Sequence, residues 1–206
     1  MNGNRRLTSP PLVPDPASVP SAGVSNWNVA NALTMLRIAL VPVFGWLLLA
    51  EGGEDTSYRW WALAVFVGAS LTDRIDGDIA RAWGMVTDFG KMVDPIADKA
   101  LMGMALIGLS LIDVVPWWMT AIILVRELGI TGLRMWVLKH AVLPASRGGK
   151  LKTALQALGI ALFVMPLGTD VYFVAWCVLL VALLITVATG VDYIFQALRL
   201  RDAAEK

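Results

Sequence analysis

The chain has 206 residues, 57% of them hydrophobic, and a mean hydropathy of +0.67. That apolar share exceeds a soluble domain's and reads as an integral membrane protein, while a net charge of +1 supplies no basic field and so excludes nucleic acid as a partner. The one cysteine, Cys177, excludes a disulfide framework; set in an apolar run, it reads as a small buried hydrophobe.

In chain order, residues 1–24 are rich in Pro, Ser and small residues and predict a disordered tail. Prolines follow Arg5 and Arg6 where a signal peptide would need an apolar core. A membrane domain is expected over 25–199. It opens with a short interfacial helix at Asn26–Asn31, where Asn31 is a candidate cap for the first spanning helix. Spanning helices are expected at about Leu33–Ala50, from Tyr58 through the apolar run Trp60–Leu71, along Ala100–Ile112, at Pro116–Lys139, at Leu151–Leu167 and at Val171–Leu198. A charged tail, 200–206, ends the chain. Only helices satisfy their backbone groups in lipid at these lengths, so the expected fold is all-α, a bundle of about six spans. His140 falls in a polar loop and reads as solvated. Trp60, Trp61, Trp117 and Trp118 fall at helix ends, as aromatic belts do.

Charge asymmetry sets an expected orientation. Lys139, Arg147, Lys150, Lys152, Arg199, Arg201 and Lys206 fall on the side of Arg5 and Arg6. The other side has Glu51, Glu54, Asp55, Asp113 and Asp170 against only Arg59. The positive-inside rule then puts both termini in the cytoplasm of a cell bounded by this membrane.

Between the second and third apolar runs lies Asp73-x-x-Asp76-Gly77-x-x-Ala80-Arg81, eight residues, then Gly90-x-x-x-Asp94-x-x-x-Asp98. Residues three or four apart share a helix face, so Asp73 with Asp76, and Asp94 with Asp98, can each point one way. Four carboxylates at one point repel unless a cation sits among them. Hard oxygen ligands favour Mg²⁺ or Mn²⁺ over zinc. The alternative is that some of these aspartates cap helix ends and pair with Arg74, Arg81, Lys91 and Lys99. Each flanking apolar run is about a dozen residues, roughly 18–20 Å, short of a ~30 Å hydrocarbon core. The carboxylates are therefore expected near the cytoplasmic headgroup level, where chemistry meets a lipid headgroup. An ion path through a transporter is a rival reading, but the acids cluster at one end of two helices and no inverted repeat is visible.

This pattern matches the signature of the CDP-alcohol phosphatidyltransferases at every fixed position. The chain from about Asn26 to Leu198 further resembles the bacterial branch whose acceptor is glycerol 3-phosphate. The matching pieces are Asn31-Ala-Leu-Thr34-Met-Leu-Arg37, Asp88-Phe-Gly90-Lys91, Asp94-Pro-Ile-Ala-Asp98-Lys99, Arg126-Glu127, Gly132-Leu-Arg134 and Gly149-Lys150-Leu-Lys152-Thr153-Ala-Leu-Gln156. Two positions depart from the pattern: Ala30 replaces a common proline, and Asp78 stands where an apolar residue is usual.

The resemblance implies transfer of the phosphatidyl group of CDP-diacylglycerol to an alcohol, with release of CMP. It implies Asp73, Asp76 and Asp94 as metal ligands, two Mg²⁺ or Mn²⁺ ions, and Asp98 as a ligand of the second ion and candidate general base. For CDP-diacylglycerol it points to Asn31 and Thr34, whose competing role is helix capping. Gly77, lacking a Cβ, allows close approach of the nucleotide or packs helices, and Arg81 holds pyrophosphate or pairs at the interface. A phosphate-bearing acceptor needs cations at bilayer level, and Arg126, Arg134, Lys150 and Lys152 supply them. Arg126 and Arg134 are eight apart, about two turns, on one helix face; Glu127 is expected to orient one of the cations. For Lys150 and Lys152 ordinary topology is the competing role. A family resemblance also implies a homodimer, for which Gly103, Ala105 and Gly108 offer close packing; their competing role is packing helices within one subunit.

Overall fold

The computed structural model describes residues 29–82, 87–137 and 147–204; side chains at 73–82, 133–137, 147–151 and 194–204, and at a few single positions such as Asp88 and Lys91, are outside that description. Among the described residues the chain is helical apart from short connections, with no strand. Six α-helices follow one another: α1 Val29–Leu49, α2 Thr56–Ala82, α3 Asp88–Leu111, α4 Trp117–Val137, α5 Arg147–Val164 and α6 Thr169–Ala204. The expected tail at 1–24 and His140 lie outside the described residues.

The helix boundaries follow local chemistry. A 3-10 turn at Ala50–Gly53 reverses the chain after α1, with Glu51, Gly52 and Gly53 at positive φ. Two glycines there relieve the strain an L side chain would feel. Asp55 then caps α2: its Oδ1 accepts from the Ser57 and Tyr58 backbone N–H groups at 2.8 and 3.0 Å. Thr87 caps α3, its hydroxyl accepting from Gly90 N at 3.0 Å. Residues 29–31 belong to α1 itself, so Asn31 lies within the first turn of the first long helix. α6 runs past Leu198 to Ala204.

α1 packs against both α2 and α3, and α5 packs along α6; α4 joins the two groups through α3 and α6. The core between them holds Phe44, Leu48, Phe66, Leu106, Met119, Ile123, Ile160, Phe163 and Leu179, all fully buried or nearly so. Close approach depends on small residues. A Cβ on Gly108 would meet Leu48 Cδ2 at 2.6 Å, and one on Gly159 would meet the backbone of Leu179 at 3.2 Å. Gly103, Ala105 and Gly108 are all buried within the chain, so this stripe is used for internal packing and not for a partner.

α1 and α6 are long and apolar enough to cross a bilayer. Large apolar side chains face outward on all six helices, among them Trp46, Trp61, Leu111, Val125, Leu158 and Phe173, which is costly in water and expected in lipid. Cys177 departs from expectation: it is exposed on α6, among outward-facing apolar neighbours, and not part of the core.

Arg59 locks the end of the bundle opposite the acidic stretch. It is 7% exposed. Its Nε donates to Val164 O at 3.1 Å, Nη1 to Gly53 O at 3.3 Å, and Nη2 to Phe163 O. The guanidinium also lies 5.9 Å from the centre of the Tyr172 ring. One cation thus satisfies carbonyls left open at the end of α5 and ties α2, α5 and α6 together.

Candidate active site

The acidic signature forms the end of α2 and the start of α3. Asp73, Asp76, Gly77 and Arg81 lie within the last three turns of one continuous helix, and Asp94 and Asp98 are four apart on the next. Asp73, Asp76, Asp78 and Arg81 have side chains outside the described residues. Asp94 and Asp98 are half-buried on one face of α3.

The start of α1 supports that face. Thr34, 2% exposed, donates its hydroxyl proton to Asp94 Oδ1 at 2.6 Å. A short charge-assisted bond of this kind fixes the carboxylate's direction. Asn31 is spent differently from a cap. Its Nδ2 donates to Thr87 Oγ1 at 2.9 Å and its Oδ1 accepts from the same hydroxyl at 3.1 Å. Thr87 caps α3, so Asn31 ties the starts of α1 and α3 together. Gly90 makes room for this knot: a Cβ there would meet Asn31 Oδ1 at 2.7 Å.

The second cluster lies on α4, α5 and α6. Glu127 Oε1 accepts from Arg126 Nη1 at 3.1 Å and also from Lys152 Nζ. Arg126 is otherwise anchored to α6, its Nε donating to Thr186 O at 2.9 Å and its Nη2 to Thr189 Oγ1 at 2.8 Å. Gly190 admits the stem; a Cβ there would meet Arg126 Cγ at 3.2 Å. Lys152 is 5% exposed, so it is a buried, paired cation and not a free interfacial lysine. Arg134 lies eight positions beyond Arg126 on α4 and Lys150 opens α5, with side chains outside the described residues.

The two clusters meet. A cavity between α3, α4 and α5 is lined by Asp98 and Lys99 on one wall and Glu127, Thr153 and Gln156 on the others. A second cavity, between α2, α3 and α5, shares Asp98, Met102 and Thr153 with the first and is otherwise mostly apolar, bounded by Phe66, Val67, Leu71 and Ala161. Ser70 Oγ on its wall is buried and has no hydrogen-bond partner among the described residues. Asp98 therefore stands where an apolar groove and a charged pocket adjoin.

The family model for CDP-alcohol phosphatidyltransferases matches residues 27–188. The chain belongs to the CDP-alcohol phosphatidyltransferase family. A probable phosphatidylglycerophosphate synthase of Mycobacterium tuberculosis is 54% identical over 172 residues, covering 84% of this chain and 82% of that protein. CDP-diacylglycerol–glycerol-3-phosphate 3-phosphatidyltransferases of Bacillus subtilis and Rickettsia typhi are 37% and 39% identical, each covering 81% of this chain and 93% and 94% of their own length.

For a CDP-alcohol phosphatidyltransferase, the sequence pattern located the acidic turns but missed their supports. Thr87 lies just before the second half of the signature, which opens at Gly90, and a Thr three residues before that Gly at a helix start is the one local clue to the cap. Thr186, Thr189 and Gly190 lie in an apolar helix with no sequence signal that they hold Arg126. Glu127 was expected to orient one cation and instead binds two. Among the described residues no three acidic, His or Cys side chains group closely enough to hold a metal by themselves.

Proposed function

We propose that this protein transfers the phosphatidyl group of CDP-diacylglycerol to glycerol 3-phosphate, giving phosphatidylglycerol phosphate and CMP. The observation that carries this reading is the shared cavity of Asp98 and Glu127, which sets the acidic face of α3 beside the buried Arg126–Glu127–Lys152 cluster. The relatives' names agree with it.

The donor set fits a hard divalent cation: carboxylates from two adjacent helices, one of them aimed by Thr34. Asp73, Asp76 and Asp94 would hold Mg²⁺ or Mn²⁺, with Asp98 shared by a second ion. Bound there, the ions would supply positive charge to neutralise the pyrophosphate and the charge that develops during transfer. The protein's own groups do the rest. Asp98 takes the proton from the acceptor's attacking hydroxyl. That oxygen bonds to the phosphorus bearing diacylglycerol, the bond from this phosphorus to the CMP oxygen breaks, and CMP leaves. Arg81 steadies the pyrophosphate and Gly77 lets the nucleotide approach the helix. Thr34 serves the nucleotide side by holding Asp94, and Asn31 by holding α1 against α3. Arg126, Arg134, Lys150 and Lys152 receive the acceptor's phosphate, the arginines offering a planar fork. The apolar groove ending at Asp98 gives the donor's acyl chains a route to the same carboxylate.

Outward apolar side chains on every helix support six spans, and the basic residues near both ends support an active end and termini in the cytoplasm. A homodimer would use an outer face, because the small residues of α3 are consumed internally.

Purified protein supplied with radiolabelled glycerol 3-phosphate, CDP-diacylglycerol and Mg²⁺ or Mn²⁺ tests the reading. Label is expected in lipid with one CMP released per transfer. Transfer only to inositol phosphate or to phosphatidylglycerol would move the protein to another acceptor. No metal-dependent transfer at all would support a transporter or ion-binding role.

A further inference from the structure

The acceptor named above has two hydroxyls, and the reaction uses one. The cavity that holds Asp98 has a second carboxylate, Glu127, whose role in the chemistry is unassigned. Its Oε1 is committed to Arg126 and Lys152. Its Oε2 takes no hydrogen bond among the described residues. As the carboxylate of two ion pairs, Glu127 offers on its second oxygen lone pairs and no proton, so that oxygen can only accept. It therefore repels a phosphate and attracts an O–H. Glu127 is 24% exposed, more than either cation it holds, so of the three groups it is the one most open to a ligand. Its position is also rigid: Arg126 is pinned to α6 through Thr186 and Thr189, and Lys152 is buried on α5.

We infer that Glu127 is a specificity residue that accepts a hydrogen bond from the acceptor's non-reacting hydroxyl, so that the pocket selects a diol phosphate over a phosphate with a single hydroxyl. This rests on the proposed reaction. Asp98 on one wall serves the attacking hydroxyl and Glu127 on another serves its neighbour, while the cations bound to Glu127 turn their remaining N–H groups to the phosphate. A site built to pair a substrate hydroxyl discriminates against the analogue lacking it, because its own polar atom is then left buried and unpaired.

The test uses the full chain with CDP-diacylglycerol and Mg²⁺. It compares kcat/KM for glycerol 3-phosphate with that for 3-hydroxypropyl phosphate, which lacks the middle hydroxyl. The ratio between two acceptors is independent of how much protein is folded. The wild type is expected to prefer glycerol 3-phosphate by on the order of 10–100-fold. Glu127→Gln should reduce that preference to within about threefold, chiefly through KM for glycerol 3-phosphate, with KM for CDP-diacylglycerol unchanged. Glu127→Asp, which keeps an ionised acceptor, should recover part of the preference. A wild type that uses both acceptors equally overturns the inference, whatever the variants do. So does an undiminished preference in Glu127→Gln or, should that variant be inactive, in Glu127→Asp. Failure of the underlying reading looks different: the wild type then transfers to neither compound.

Discussion

Replacing Thr34 by Val isolates one interaction. The two side chains have nearly the same shape, so packing at this buried position is kept while the hydroxyl that donates to Asp94 at 2.6 Å is removed. A hydrogen bond to a charged group contributes about 1.5–3 kcal/mol, and every ~1.4 kcal/mol is a factor of ten. Loss of a group that orients a metal ligand typically costs about 10–100-fold in metal affinity or activity. Turnover at saturating CDP-diacylglycerol and glycerol 3-phosphate should be measured against Mg²⁺ or Mn²⁺ concentration. The half-activating concentration should rise by about 10–100-fold, while KM for glycerol 3-phosphate changes by less than about twofold. Thr34→Ser, which keeps the hydroxyl, should stay close to wild type. An unaltered metal dependence in Thr34→Val would refute the idea that Thr34 aims a metal-binding carboxylate.

Other expectations concern the far end, the helix packing and the acceptor. Arg59→Ala should lower unfolding stability by on the order of 1–3 kcal/mol, because it orphans the Phe163, Val164 and Gly53 carbonyls, without changing turnover per folded molecule. Thermal or detergent unfolding reads the first and an activity assay on the surviving protein reads the second. Gly159→Ala should be destabilising because its Cβ meets the Leu179 backbone, whereas Gly68→Ala, with nothing within 4 Å, should be neutral or gain up to about 1 kcal/mol of helix propensity. Equal midpoints for the two would argue against close α5–α6 packing. Arg134→Ala should raise KM for glycerol 3-phosphate more than KM for CDP-diacylglycerol; equal rises would remove it from the acceptor pocket.

The acidic turns and the six helices were legible because their signals are local. Apolar runs mark the helices, and carboxylates three and four apart mark a face whatever the rest of the chain does. Helix ends were less so: α1 begins at Val29 without a break at Asn31, and α2 begins at Thr56 because Asp55 caps it. What the sequence hid is long-range pairing. Nothing near Asn31 says that its amide will be used by Thr87, and nothing in the apolar run of α6 says that Thr186 O, Thr189 and Gly190 will anchor Arg126. Lys152 reads from the sequence as a phosphate-binding cation or an ordinary positive residue at a cytoplasmic border; only the fold shows its burial and its ion pair with Glu127 on α4. Arg59 stood out only as the lone cation on its side, and packing against the end of α5 explains why it is there. Cys177 was misjudged because an apolar run in a membrane helix has two apolar surroundings, protein and lipid, which composition alone does not separate.

The central claim is that the facing ends of α2 and α3 form a divalent-metal site on which transfer depends. Mn²⁺ binding to the purified protein, followed by loss of the free-ion EPR signal, tests it most directly when read beside turnover of the same samples. The wild type should bind about two ions per chain. Asp94→Asn should bind fewer and lose more than about 100-fold in turnover while still inserting and folding. An Asp94→Asn protein with the wild-type ion count and rate would contradict the account.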